Sequence, residues 1–333
     1  MKILFTITED VGKEALWHAT NLATALFAAG NDVRVAIEPS SEFGGEVAST
    51  KVPVEHILSN KSGFFAWTHQ RATFRALGTR FKPTLVICYG AIPSGLSELK
   101  DIEVVSAVCG YEKFGVIAAK KAERVIVSSR LIAEFLESKD VPEGKIIVLR
   151  GGIDYLPDKT RLEYRAEERK RLGVDDSNIL IGIIGPFGEG EGHRLILEGL
   201  TSDYHKNLKL MAIVDRPGEI DQFMNLCRHF NVSRVTLCEP RSDQVLRQLS
   251  ALDIGVIADL KPNGVPSRVI ELIAAKVRAV TTKIVADAEC ASAQNIIKEN
   301  YPITTLHTLI DSCDNERIYD RASLLREFSR HFH

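Results

Sequence analysis

What the sequence lacks narrows it first. No apolar run approaches the roughly 20 residues that a membrane-spanning helix needs. Neither charge sign is in excess: 42 Lys and Arg stand against 44 Asp and Glu, and a formal charge of −2 leaves no basic surplus for bulk nucleic-acid binding. Cysteine is sparse, and Cys88, Cys109, Cys227, Cys238, Cys290 and Cys313 contain no Cys-x-x-Cys pair. Reduced thiols are therefore expected in place of a disulfide framework or a zinc site. Short-period repeats and low-complexity tracts are missing, and no Asp-x-Asp cluster sits where a strand is expected to end. Between His56 and Pro93 there is no acidic residue at all.

What is present reads as an ordinary globular protein, with 45% hydrophobic and 26% charged residues in a chain of 333. That length suits two domains of about 150 residues each. Met1-Lys2-Ile3-Leu4-Phe5 enters a strand directly, so no signal peptide is expected and a cytoplasmic location follows. Short apolar runs alternate with helical patterns, the signature of parallel sheets. In the first half strands are expected at Ile3–Thr6, Asp32–Ile37, Thr84–Cys88, Glu103–Val108 and Arg124–Val127. Between the first two, Leu16, Ala19, Leu22, Ala23 and Leu26 are spaced for one buried helix face, which Gly30 and Asn31 end. The second half repeats the scheme, with strands at Ile179–Ile184, Leu208–Val214, Val235–Leu237, Ile254–Ile257 and Arg278–Thr281. Asp158 to Arg171 is a charged, solvated helix in this reading, and Ala322–Phe332 a last helix that packs back.

Two segments of the second half carry candidate chemistry. Gly185-Pro186-Phe187-Gly188-Glu189-Gly190-Glu191-Gly192-His193 is a glycine-rich turn that opens a helix, a place where backbone amides meet a phosphate. Its glycine spacing resembles a dinucleotide fingerprint but lies past mid-chain and lacks the last glycine spacing. In Val265-Pro266-Ser267-Arg268-Val269-Ile270-Glu271, a helix start, a hydroxyl and a guanidinium suit a diphosphate, and a carboxylate can accept from two ribose hydroxyls. The alternative is a surface helix with an i, i+3 salt bridge from Arg268 to Glu271.

The order of segments resembles the group 1 (family 4) GT-B glycosyltransferases over most of the chain, more closely in its second half. The carriers are Met1–Ile37 with Gly12, Asn21-Leu22-Ala23 and Gly30; Ala122-Glu123-Arg124-Val125-Ile126-Val127-Ser128-Ser129; Val141 to Asp154; Arg171-Leu172-Gly173-Val174; and the Val265–Ala275 helix. The resemblance implies two Rossmann-like domains facing each other across a cleft: an acceptor domain (1–155), a nucleotide-sugar domain (156–315) and a C-terminal helix (316–333) packing back on the first. It implies a hexose transferred with retention from a nucleotide diphosphate sugar to a saccharide or lipid-linked acceptor, without metal or cofactor. Glu271 would hold the ribose; Ser267, Arg268, Gly188, Gly190 and Gly192 would hold the diphosphate; and Gly12, beside Glu9 and Asp10, would close the cleft from the first domain. No catalytic residue is assigned.

The sequence departs from the family at its cations. Pro186 and Glu191 stand where the resemblance places an arginine and a lysine, and Asn263 stands for the first acid of a paired-glutamate motif. His193, Arg216, Arg241 and Arg150 are the compensating donors within reach of the same loops. A catalytically silent GT-B protein, acting as a sugar-nucleotide binder or scaffold, is the competing reading, and an epimerase of the same architecture a third. In the first domain Cys109 beside Gly110 reads as a buried inert thiol, and His18 faces either core or cleft. Stretch 61–82 interleaves Lys61, Arg71, Arg75, Arg80 and Lys82 with Phe64, Phe65, Trp67, Phe74 and Phe81. It reads either as a peripheral membrane contact or as core aromatics with solvated cations.

Overall fold

The computed structural model describes residues 1–8, 11–37, 51–56, 64–93, 95–96, 101–185, 187, 193–194, 197, 207–214, 217–232, 235–238, 244–257, 266–282, 296–297 and 321–332; at 56, 64–70, 217, 281–282, 296–297 and 323 it describes the backbone only. The chain divides into two compact units, Met1–Gly152 with Arg321–His333, and Ile153–Asp320. No helix among the described residues is long and apolar enough to cross a membrane.

The first unit is a seven-stranded sheet built from β1 (Lys2–Ile7), β2 (Asp32–Ile37), β3 (Val54–His56), β4 (Leu85–Tyr89), β5 (Glu103–Val108), β6 (Arg124–Val127) and β7 (Ile146–Val148). The order is β3-β2-β1-β4-β5-β6-β7, every pairing parallel. Such a sheet is covered on both faces, which explains why every residue of β4, Leu-Val-Ile-Cys-Tyr, is buried. On one face α1 (Lys13–Ala28) lays Leu16, Ala19, Leu22, Ala23 and Leu26 against Ile3, Phe5 and Ile7. Alternation along the strands turns Leu4, Val86 and Cys88 to the other face, where α2 (Phe64–Phe81) packs Phe74, Leu77 and Phe81. Two further helices, α3 (Lys113–Lys121) and α4 (Arg130–Glu137), flank β5 and β6.

The second unit opens with α5 (Asp158–Leu172), followed by β8 (Ile179–Ile184), β9 (Leu208–Ile213), α6 (Ile220–His229), β10 (Val235–Cys238), α7 (Val245–Leu249), β11 (Ile254–Ile257), α8 (Ser267–Ala274), β12 (Arg278–Thr282) and β13 (Ile296–Ile297). Its parallel sheet runs β10-β9-β8-β11-β12-β13. The last helix, α9 (Arg321–His331), belongs to the first unit, where Leu324, Phe328 and Phe332 join the core under α1. Arg124 locks it there, donating to the His331 carbonyl at 2.6 Å with its guanidinium over the Phe332 ring.

The expected charged helix forms as α5 and is exposed along much of its length, but Arg169 on it is not solvated. Arg169 is buried and donates to the carbonyls of Ala251, Asp175 and Asn178 at 3.1, 2.7 and 2.7 Å, and its partner acid is Asp253 at 3.1 Å. Arg165 adds Leu252 O at 2.9 Å and the same Asp253. Three of those carbonyls lie just past α7 or just before β8, so the helix docks through charge-assisted bonds to loop backbone and not through an apolar stripe.

Candidate functional site

A doubly wound sheet binds ligands where its strand order reverses, outside the carboxyl ends of the two central strands. In the second unit those strands are β8 and β11, paired with Ile184 opposite Ile257. Both candidate segments leave that edge: the glycine-rich loop follows Ile184, and the chain after Ile257 returns as α8. What holds α8 close is Gly255, where an added Cβ would lie 2.4 Å from both methyls of Leu272. Only glycine admits the approach.

The chemistry of α8 differs from either sequence expectation. All eight residues of the helix are buried. Arg268 (9% exposed) and Glu271 (4%) form a close ion pair across one turn, so the bridge foreseen for a solvated helix forms out of solvent. Taking two charges out of water is costly, and the direct pairing of the guanidinium with the carboxylate offsets that cost. Ser267, at the first turn beside Pro266, is buried as well. Glu271, Arg268 and Ser267 thus share one helix start at the switch-point edge.

His193 is a correction. Its ring is buried, lies tilted against Phe187 with centroids 4.7 Å apart, and donates Nε2–H to the Ile184 carbonyl at 3.1 Å; Phe187 in turn meets Phe223 at 4.4 Å. Burial lowers its pKa to about 4 despite that bond, so the imidazole is neutral at pH 7 and its Nδ1 is an acceptor. It braces the loop and supplies no cation to a phosphate. Gly188, Gly190, Gly192, Arg216, Pro186, Glu191, Asn263, Arg241, Glu9 and Asp10 lie outside the described residues.

Two carboxylates that sequence reasoning passed over meet these loops. In the second unit Glu219, just after β9, accepts from the Phe187 amide at 3.4 Å, at the root of the glycine-rich loop. In the first unit, at the carboxyl edge of the sheet, Glu112 accepts from the Gly12 amide at 3.0 Å, at the start of α1. A Cβ on Gly12 would stand 2.9 Å from that carboxylate oxygen, so a larger residue there would make the flexible Glu112 side chain shift. The only sequence signal for either was an acid in a loop following a strand, which distinguishes neither from its neighbours. Gly12 therefore presents its amide to an internal anion.

His18 faces the core. Tyr89 donates its hydroxyl to Nδ1 at 2.7 Å while Nε2–H donates to the Leu149 carbonyl at 2.7 Å. Burial lowers its pKa to about 4. Burial also drives the Cys109 thiol well above its ordinary value, which leaves it without nucleophilic character at neutral pH. Arg150, next to Leu149, is half-buried. In α2 the described aromatic side chains, Phe74 and Phe81, are core, as the second reading of 61–82 has them; residues 61–63 and the side chains of 64–70 lie outside the described residues.

No protein-family model matches the sequence, and no curated protein matches it. Solved structures do match its fold along nearly the whole length. HepE from Anabaena in complex with UDP-glucose is 14% identical with a TM-score of 0.77, over 99% of this chain and 98% of that one. A glycosyltransferase from Rickettsia africae is 14% identical with a TM-score of 0.76, over 99% and 97%. UDP-GlcNAc 2-epimerase from Neisseria meningitidis, bound to UDP-GlcNAc, is 13% identical with a TM-score of 0.64, over 99% and 99%. At such identities the likeness speaks for architecture alone, and the architecture is GT-B: two Rossmann-like α/β domains, each a parallel sheet with its own switch point.

Proposed function

We propose that this chain is a glycosyltransferase that moves a hexose from a nucleotide diphosphate sugar to a saccharide or lipid-linked acceptor, with retention and without a metal. The observation that carries the reading is the buried Arg268–Glu271 pair on α8, one strand away from the glycine-rich loop. Glu271 takes the ribose hydroxyls, and Ser267, Arg268 and the amides of Gly188, Gly190 and Gly192 take the diphosphate. The GT-B fold of HepE, which holds UDP-glucose, supports a donor of this class. In the transfer the bond from the anomeric carbon to the diphosphate oxygen breaks, and its electrons leave on the diphosphate. The acceptor oxygen bonds to the carbon, and its proton passes to the leaving group. The N-terminal unit is the acceptor half in this reading.

Calorimetric titration with a panel of nucleoside diphosphates and their sugars, repeated on Glu271→Gln, tests it. One nucleotide bound tightly by the wild type and lost in a folded variant supports the donor site. No binding to any member of the panel sinks it.

A second reading has its own support. Glu219 already engages the Phe187 amide, and Pro186 and Glu191 replace the cations that would steady a departing diphosphate. Preorganised positive charge at such a position is worth several kcal/mol to the transition state. A catalytically silent sugar-nucleotide binder or scaffold would carry that arrangement at no loss. Pro186→Arg with Glu191→Lys separates the two: a silent protein gains donor affinity, and a specialised enzyme loses turnover.

A further inference from the structure

The first unit has a switch point of its own. Its sheet reverses between β1 and β4, so the loops after those strands and after β5 rim the edge where a doubly wound sheet takes a ligand. α1 starts at that rim, and the first amides of a 16-residue helix are a natural seat for a phosphate. In this chain the seat is taken. Glu112, in the turn between β5 and α3, reaches past the end of β4 and accepts from the Gly12 amide at 3.0 Å. Thr8 seals the reversal itself. Its amide and its hydroxyl both donate to the Tyr89 carbonyl, at 3.3 and 3.4 Å, and the same hydroxyl accepts from the Ala91 amide at 3.4 Å.

Contact decides here, not net charge. Lys13 and Glu14 lie in the first turn of α1 and Lys113 follows Glu112, so cations and acids balance at this start. Farther along the edge Arg150 is half-buried past β7, and Arg130, past β6, sits 3.9 Å from Glu134. Burial raises the Cys109 thiol, and the charges of Glu112 and Glu14 push it further up, which places both carboxylates close to the end of β5. A phosphate arriving at Gly12 must displace a carboxylate that is tethered to the fold and already bonded, and it meets Glu14 beside it. Without the Glu112 charge the balance tips, because Lys13, Lys113 and the helix start then outweigh Glu14.

We propose that Glu112 is a specificity-determining residue: a resident anion that closes the start of α1 to phosphate and makes the first unit select uncharged, hydroxyl-bearing saccharides over phosphorylated ones. The closure needs no nucleotide and stands by itself. The acceptor class rests on the glycosyltransferase reading, in which the second unit then holds the donor diphosphate alone.

The full chain, isotopically labelled at its glycine amides, gives a resonance for Gly12 that is identified by its loss in Gly12→Ala. Titration with inorganic phosphate, at ionic strength held constant with chloride, then reads the seat directly. The wild-type resonance is expected to stay in place. In Glu112→Gln the side-chain oxygen can still accept from Gly12 while the charge is gone, and the resonance should follow phosphate with an affinity about tenfold above wild type. Glu112→Ala keeps the test open should that variant fail to fold. Glu137→Gln removes the same charge from an exposed position on α4 and should leave Gly12 still. A wild-type resonance that moves with phosphate overturns the closure, as does one that stays still in both Glu112 variants, or an equal response in Glu137→Gln. Once the donor nucleotide is found, initial rates with a saccharide and with its phosphate test the acceptor class. The wild type should favour the uncharged acceptor about tenfold, and Glu112→Gln should lose most of that preference. A preference for the phosphate, or one that Glu112→Gln leaves unmoved, overturns the acceptor class. Absence of nucleotide binding sinks the transfer reading and leaves the Gly12 result as it is.

Discussion

Removing one member of a buried ion pair leaves the other charge uncompensated at a cost of about 3–5 kcal/mol, whereas replacing both by apolar residues is often close to neutral. Arg268 and Glu271 are such a pair, so stability and ligand binding can be separated there. Glu271→Gln is expected to lower the melting temperature and to abolish nucleotide binding. Arg268→Met with Glu271→Leu is expected to recover most of the melting temperature and none of the binding. Paired thermal melts and titrations read this; nucleotide binding by the double variant would remove Glu271 from the site. Glu219 makes the opposite prediction. Its carboxylate sits on the first amide of the glycine-rich loop, and Glu219→Gln removes a negative charge from the approach of a diphosphate. Affinity for the nucleoside diphosphate should rise about fivefold, equivalent to ~1 kcal/mol of repulsion in a solvated setting. Unchanged affinity would place the diphosphate away from this loop.

At the scale of the element, α8 depends on a glycine that it does not contain. Gly255→Ala on β11 drives a methyl into both branches of Leu272, and overpacking of this kind costs about 1–3 kcal/mol. The variant should melt lower and bind nucleotide more weakly, because α8 is pushed off the sheet with Glu271 on it. Leu272→Ala in the same background should restore part of the loss, so the double variant costs less than its two parents together. Strict additivity would mean that Gly255 does not seat the helix. The same element shows where the sequence was legible. The strands Asp32–Ile37, Glu103–Val108, Arg124–Val127, Ile179–Ile184 and Ile254–Ile257 are short runs rich in Val and Ile, and the structure has them at those bounds. Val54–His56, Ile146–Val148 and Ile296–Ile297 were not foreseen, because two or three residues at a sheet edge carry no period. Buried charge misled most. Arg169 read as solvated, and a solvated salt bridge was the alternative reading of Arg268 and Glu271, because a sequence does not display the partner that allows burial. His193 likewise gave no sign of the aromatic pair that encloses it.

Among the described residues each unit carries one buried neutral histidine, and this ties its stability to acid. His18 in the first unit and His193 in the second are both lowered from 6.5 to about 4, chiefly by desolvation. Between those values the unfolded chain binds protons that the folded chain refuses, so unfolding free energy falls as pH falls. The contribution is complete above about 6.5, erodes through that window and levels off below about 4. Each full shift is worth roughly 3 kcal/mol, large beside the net stability of a domain. Scanning calorimetry from pH 7.5 to pH 4.5 should show the melting temperature falling steeply across the histidine window. His18→Gln should lower the melting temperature at pH 7.5, because the bonds to Tyr89 and Leu149 are disturbed, and yet flatten the fall. His193→Gln should do the same through the loss of its aromatic packing, and where the two units melt as separate transitions each substitution should flatten only its own. A fall of wild-type steepness in the doubly substituted chain would show that these two histidines are not the source of the acid sensitivity.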